Sequence, residues 1–198
     1  MKKIYHEKVH MISKLFVYQI AMSLLGVFIV SPFSGSTCIV AGVFASLFYL
    51  SLVSYAAVED GQKDCISHNA GRLQGSALTG FGYALISYIP TIVITVISCI
   101  LRVVLPSASL VAVKNILNII IRFFLMGTYL GIDVGLTGYT YDATTQSMVS
   151  DASVFVRYIC DNGILFVVLL FVMPVVCGMA YKLAFNGKIS INTQKKQK

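Results

Sequence analysis

Four stretches of this chain, residues 15–33, 37–58, 75–101 and 163–181, contain no charged residue, and each is long enough to cross a bilayer. A fifth stretch of similar length, 110–132, is interrupted by Lys114, Asn115, Asn118 and Arg122. A helical crossing needs about 20 predominantly apolar residues. Backbone in hydrocarbon must be hydrogen-bonded within the protein, which leaves helices or closed barrels, and the unbroken runs select helices. Composition agrees: charged residues are 12% of the chain, against about 25% in a soluble domain, and the mean hydropathy is +0.82. The expected fold is an all-α integral membrane protein of one domain over 1–185, with a basic flexible tail at 186–198. A chain of 198 residues leaves no room for a second folded domain.

The first stretch follows Lys2, Lys3, Lys8 and Lys14, the flank of a secretory signal, but it is longer than the apolar core of such a signal, about 7–15 residues. It reads as an uncleaved span joined to the second by a tight turn at Ser31-Pro32-Phe33-Ser34-Gly35-Ser36. Pro90 and Pro174 fall inside the third and fourth spans, where each removes a backbone hydrogen bond and is expected to kink the helix. Gly42 and Ser46, and likewise Ser76, Gly80 and Ala84, repeat small residues four apart, a spacing that lets helix backbones approach closely. These faces are expected to hold the bundle together. Tyr18, Tyr49, Tyr55, Tyr83, Tyr88 and Tyr181 include rings near span ends, where aromatic residues settle at the interface.

Whether the fifth stretch crosses decides the topology. On a helical wheel Lys114, Asn115, Asn118, Arg122, Tyr129 and Asp133 fall within an arc of roughly 100°. Such a strip lies in the interfacial plane or turns toward the bundle interior. Basic residues gather on the cytoplasmic side of short loops. With five crossings Lys2, Lys3, Lys8, Lys14, Lys63, Arg72 and Arg157 would be inside and Arg102, Lys114, Lys182, Lys188, Lys195, Lys196 and Lys198 outside, an even split. With four, the tail lysines join the inside, and only Arg102, Lys114, Arg122 and Arg157 remain opposite. The expectation is four spans, both termini cytoplasmic, and residues 110–132 as an amphipathic interfacial or re-entrant helix.

Beyond that helix the glycine, threonine and tyrosine residues of 135–146 read as turns or a short extended piece. Residues 150–160 read as a short helix capped by Ser150 or Asp151. Asp133, Asp142, Asp151 and Asp161 match no calcium-loop spacing and read as isolated, solvated acids. The cysteines, Cys38, Cys65, Cys99, Cys160 and Cys177, form no C-x-x-C pair. They read as apolar fillers, although Cys38, Cys99 and Cys160 fall on the same expected side and one disulfide among them is geometrically allowed.

Segment 59–74, between spans two and three, is the most polar. It reads as a solvated cytoplasmic turn, and Asp60, Lys63, Asp64, His68, Asn69 and Arg72 are its candidate partner-docking residues. Asp64 and His68 are four apart and share a helical face, yet two ligands do not make a metal site, and no cofactor is implied. Asp60-Gly61 with Ala70-Gly71-Arg72 is faintly similar to the aspartate signature of membrane phosphatidyltransferases. The second aspartate pair of that signature is missing from span three, which rejects the reading. The pattern Gly61-x-Lys63-Asp64-(x4)-Asn69-x-Gly71-Arg72, with Gly75, Gly80 and Pro90, followed by Pro174-x-x-Cys177-Gly178-x-x-Tyr181 and Gly187-Lys188-x-Ser190, resembles a family of bacterial multi-pass membrane proteins of about this length. The resemblance carries no activity. It implies a bacterial cell membrane and a cytoplasmic tail.

Two functions follow as expectations. One is a non-catalytic accessory or regulatory partner of another membrane component, presenting segment 59–74. The other is a small transporter or lipid-binding component that uses the proline-kinked helices and a candidate anion contact of Lys114, Asn118 and Arg122. No nucleophile and base stand together as an enzyme requires. The net charge of +7 reflects topology and not nucleic-acid binding.

Overall fold

The computed structural model describes residues 2–35, 37–72, 76–103, 111–142, 147–150 and 152–189. Gly75, Asp151 and the tail lysines beyond Ile189 lie outside the described residues. The elements are α1 (Lys2–Val30), α2 (Thr37–Asn69), α3 (Thr79–Val103), α4 (Val111–Ile119) continued by a π-helical turn (Ile120–Leu125), a 3-10 turn (Gly127–Tyr129), α5 (Leu130–Thr137), a hairpin of β1 (Tyr139–Asp142) with β2 (Ser147–Ser150), α6 (Val154–Asp161), α7 (Ile164–Leu169) and α8 (Val172–Phe185). The strands are antiparallel, with Tyr139 opposite Ser150. Val9–Val30, Thr37–Asn69, Thr79–Val103 and Ile164–Phe185 are long and apolar enough to cross a membrane, so the chain is an all-α membrane protein with four spanning helices.

Each span buries one stripe. In α2 the buried residues fall in neighbouring pairs, Ala41 and Gly42, Ala45 and Ser46, Ala56 and Ala57, with Tyr49 and Val53 between. That is the helical period, with small side chains where the closest contacts fall. The ladder of the last span is interrupted at Leu170–Phe171, between α7 and α8. Pro174 has no N–H for the carbonyl four residues earlier, and its ring crowds that carbonyl. Around Pro90, by contrast, α3 stays helical throughout.

Segment 59–74 departs from expectation. It is not a turn, because α2 runs on to Asn69 and stops only at Gly71, whose φ of +68° suits glycine. Arg72 N–H donates to Ser67 O and Gly71 N–H to His68 O, both at 2.9 Å, closing the end in a Schellman arrangement. The short helix after the hairpin is capped by Ser153, whose Oγ accepts from Val156 N–H, and not by Ser150, which ends β2. All five cysteines are free. Tyr49, Tyr88 and Tyr181 are fully buried and Tyr83 nearly so, so these rings serve the core and not an interfacial belt.

Contacts divide the chain into two units. One comprises Met1–Phe16, Leu50–Tyr88 and Val172–Lys198, and the other Val17–Tyr49 and Ile89–Phe171. The first is organised by Tyr181. Its hydroxyl donates to Asp64 Oδ2, its ring meets Tyr83 edge-on and stacks on Phe185, and Phe185 in turn meets His68. Gly61 and Gly80 make room for it, since a Cβ on Gly80 would stand 2.4 Å from the Tyr181 ring and one on Gly61 2.8 Å from its carbonyl oxygen. A Cβ on Gly178 would strike Phe81. Gly61, Asp64, Gly80, Gly178 and Tyr181, drawn from both blocks of the resemblance pattern, therefore form one packing node.

The second unit holds the fifth apolar stretch, which is a hairpin bent by 87° between Ala112–Leu125 and Gly127–Thr137. The single helix expected over 110–132 is thus broken at Met126. At roughly 1.5 Å per residue, the spans serve as depth rulers. The Arg102 guanidinium donates to Lys114 O, so the first limb starts level with the end of α3. At the tip Leu125 O accepts from Gln19, which stands about 16 Å along α1 from Val30. Met126 lies against Thr95, about 10 Å from Arg102. The second limb then climbs beside α2, with Thr128 O at Ser46, Gly131 at Gly42 and Cys38, and Gly135 at Ile39. Both limbs end at the same level, and the tip reaches about half of a hydrocarbon layer of about 30 Å. The bent pair thus turns back toward the level at which it starts, which is the geometry of a re-entrant hairpin.

This packing predicts opposite outcomes for two glycine substitutions. A Cβ on Gly42 would stand 2.6 Å from the Ile132 nitrogen, whereas one on Gly82 meets nothing within 4 Å. Gly42→Leu should cost at least about 1–3 kcal/mol by overpacking, and Gly82→Ala should be neutral or stabilise by up to about 1 kcal/mol. Thermal unfolding in detergent micelles measures both.

Candidate functional site

Breaking a helix at half depth strands backbone groups in an apolar layer, where each unsatisfied group costs several kcal/mol. Here three polar side chains from neighbouring spans take them up. Gln19 Nε2 donates to Leu125 O at 3.0 Å, Ser23 Oγ to Phe123 O at 3.0 Å, and Ser46 Oγ to Thr128 O at 3.0 Å. Gly127 N–H donates to Ser23 Oγ, and Met126 N–H to Ile121 O. Gln19 also donates to Thr91 Oγ1. A Cβ on Gly127 would lie 2.3 Å from Ser23 O, so the tip accommodates only glycine.

Between the limbs lies an ion pair. Arg122, one turn before the tip, places Nη2 2.7 Å from Asp133 Oδ2 on α5. The Asp133 side chain is 0% exposed and that of Arg122 26%. Asp133 is therefore not a solvated acid. The bend folds α5 back over the π turn, so an acid beyond the break meets the arginine, and the pair enters the membrane without net charge. The Cys160 thiol of α6 approaches the same carboxylate. Burial, and then the Asp133 charge, push this thiol up to about 11, which keeps it protonated at neutral pH. Above the pair, Arg102 donates to Asp161 O at 2.6 Å and to Lys114 O at 3.3 Å, tying α3, α4 and α6 at one level.

Of the expected anion contact, the hairpin brings Arg122 inside and spends its charge on Asp133. Lys114 and Asn118 are partly buried on α4. The other candidate set is divided as well. Lys63 pairs with Glu59 at 2.8 Å and Asp60 at 3.6 Å, and Lys14 reaches Glu59 at 3.2 Å. Asp64 is taken by Tyr181, while Asn69 donates to Cys65 Sγ at 3.7 Å. Lys63, His68 and Asn69 remain exposed along the last turns of α2, with Ile66 between them, and Arg72 is exposed just beyond its end. Among the described residues no three His, Cys, Asp or Glu side chains stand close enough to hold a metal ion.

Gln19, Ser23 and Asp133 belong to the site although no motif in the sequence marks them. Gln19 is the most polar side chain of its uncharged span, and Gly127, Gly131 and Gly135 repeat four apart. Together they were the available signal for a packed, re-entrant limb. Comparison with protein-family models, with curated proteins and with solved structures finds no match to this chain.

Removing one member of the ion pair leaves a buried charge behind. Arg122→Gln should destabilise by about 3–5 kcal/mol, whereas Arg122→Met combined with Asp133→Leu should cost distinctly less. Gln19→Leu orphans Leu125 O and should cost about 1–3 kcal/mol. Thermal or denaturant unfolding of the reconstituted protein separates the three.

Proposed function

We propose that this chain is a non-catalytic membrane component of a bacterial cell membrane, an accessory or regulatory partner of another membrane protein, with both termini cytoplasmic. The observation that carries this reading is the extension of α2 beyond its apolar part. A helix that displays Lys63, Ile66, His68 and Asn69, with Arg72 just past its end, is braced by Lys14 through Glu59 and by Tyr181 through Asp64. A polar loop would lose conformational entropy on binding, whereas a braced helix has already met that cost. Ile66 is 69% exposed, an apolar anchor framed by cations. The positive-inside bias supports the cytoplasmic placement, since four crossings return both termini to the more basic side.

The re-entrant hairpin supports a second reading, a small transporter or lipid-binding component. Ionisable groups and broken helices at membrane depth recur at transport sites. In that reading an anionic group would compete with Asp133 for Arg122.

A photo-crosslinking residue in place of Ile66, in native membranes, should give one discrete protein adduct that Lys63→Glu with Arg72→Glu reduces at least about tenfold, the equivalent of 1.4 kcal/mol. A cysteine at Lys188 should label only after the membrane is permeabilised. A diffuse lipid-only adduct at Ile66, or labelling of Lys188→Cys from outside, would refute the first reading. Anion-dependent stabilisation lost in Arg122→Gln would support the second.

A further inference from the structure

α6 carries a surface that neither function uses. Its residues divide by helical position: Cys160 is buried and Val156 and Ile159 partly so, while Val154, Phe155 and Tyr158 are 81%, 71% and 52% exposed. The exposed arc is therefore apolar like the inner one, with the exposed Arg157 at its edge. A water-facing helix would carry polar side chains on that outer arc.

The level of this helix is fixed. Asp161 O at its end accepts from Arg102, which closes the apolar run of α3, and the last span starts at Ile164 after a turn through Gly163 at φ +73°. The inner side packs on α5, where Cys160 meets Asp133. Its outward arc thus stands where hydrocarbon gives way to headgroups. There a short helix buries apolar side chains about 5–10 Å deep and keeps its cation near phosphate.

We propose that α6 is an interfacial membrane helix, with Val154, Phe155 and Tyr158 inserted at the headgroup and acyl boundary and Arg157 set against lipid phosphate. The occupant of this face is the bilayer itself. The helix forms a foot that holds Cys160 and the neck of the re-entrant hairpin at a fixed height.

The chain has no tryptophan, so one introduced ring reports depth without background. Phe155→Trp and, separately, Tyr158→Trp would be reconstituted in phosphatidylcholine and phosphatidylglycerol vesicles carrying bromine at shallow or deep acyl positions. Val93→Trp, at an exposed site about 13 Å along α3 from Arg102, serves as the deep reference. Both α6 reporters should be quenched at least about twice as strongly by shallow bromine as by deep, as insertion of about 5–10 Å requires, and Val93→Trp in the opposite order. Quenching of the α6 reporters by aqueous iodide but not by bromolipid would overturn the proposal by placing the face in water. Protection from both quenchers would overturn it by showing a protein cover, whether a second copy or another partner. Deep quenching of Val93→Trp shows insertion, and agreement between the two α6 reporters excludes local misfolding of either one.

Discussion

The hydrogen bonds that close the break at Met126 are what the rest of the membrane-embedded structure must accommodate. Water is absent at half depth, so carbonyls freed by the bend need donors from the protein itself. Gln19, Ser23 and Ser46 supply them from α1 and α2. Side chains that short reach backbone only if the helices approach closely. That requirement accounts for the glycines: Gly26 and Gly42 on the spans face Gly127 and Gly131 on the hairpin, at separations that leave no room for a Cβ. Polar satisfaction and small-residue packing are here one constraint.

The Arg122–Asp133 pair extends the same logic to charge. Either residue alone would be expensive in the layer, and together they form a neutral unit whose geometry depends on the bend. The pair also specifies register. Sliding α5 by one residue along α2 would remove Gly131 from Gly42 and turn Asp133 away from Arg122. An ion pair of this kind need not add net stability to be retained, because it selects one arrangement of the limbs over its neighbours.

Much of the architecture was legible because charge is so unevenly distributed. Four runs without a charge can only be spans, and the polar strip of the fifth marked it as something else. What could not be read was tertiary. Helical periodicity puts Arg122 and Asp133 on one arc, but eleven positions stand about 16 Å apart along a straight helix, and only the bend brings them into contact. The extension of α2 was hidden by Gly61 and a run of polar residues that locally favour a loop. The helix persists there because Tyr181 packs against Gly61 and binds Asp64, a contact supplied by α8, far along the chain. Similarly, the candidate docking residues were readable as a cluster but not as two groups, one engaged in bracing and one displayed.

The order of the elements along the chain has a consequence for assembly. Gln19, Ser23, Ser46 and Thr95, which meet the hairpin tip, belong to α1, α2 and α3, all of which precede it in the chain. Synthesis proceeds from the N-terminus, and earlier segments fold first. The helices that supply the socket are therefore made before its occupant, and the amides around Met126 have their partners in segments already synthesised. A chain with the same contacts in a different order would have to expose those amides to hydrocarbon while waiting for the helices that shelter them.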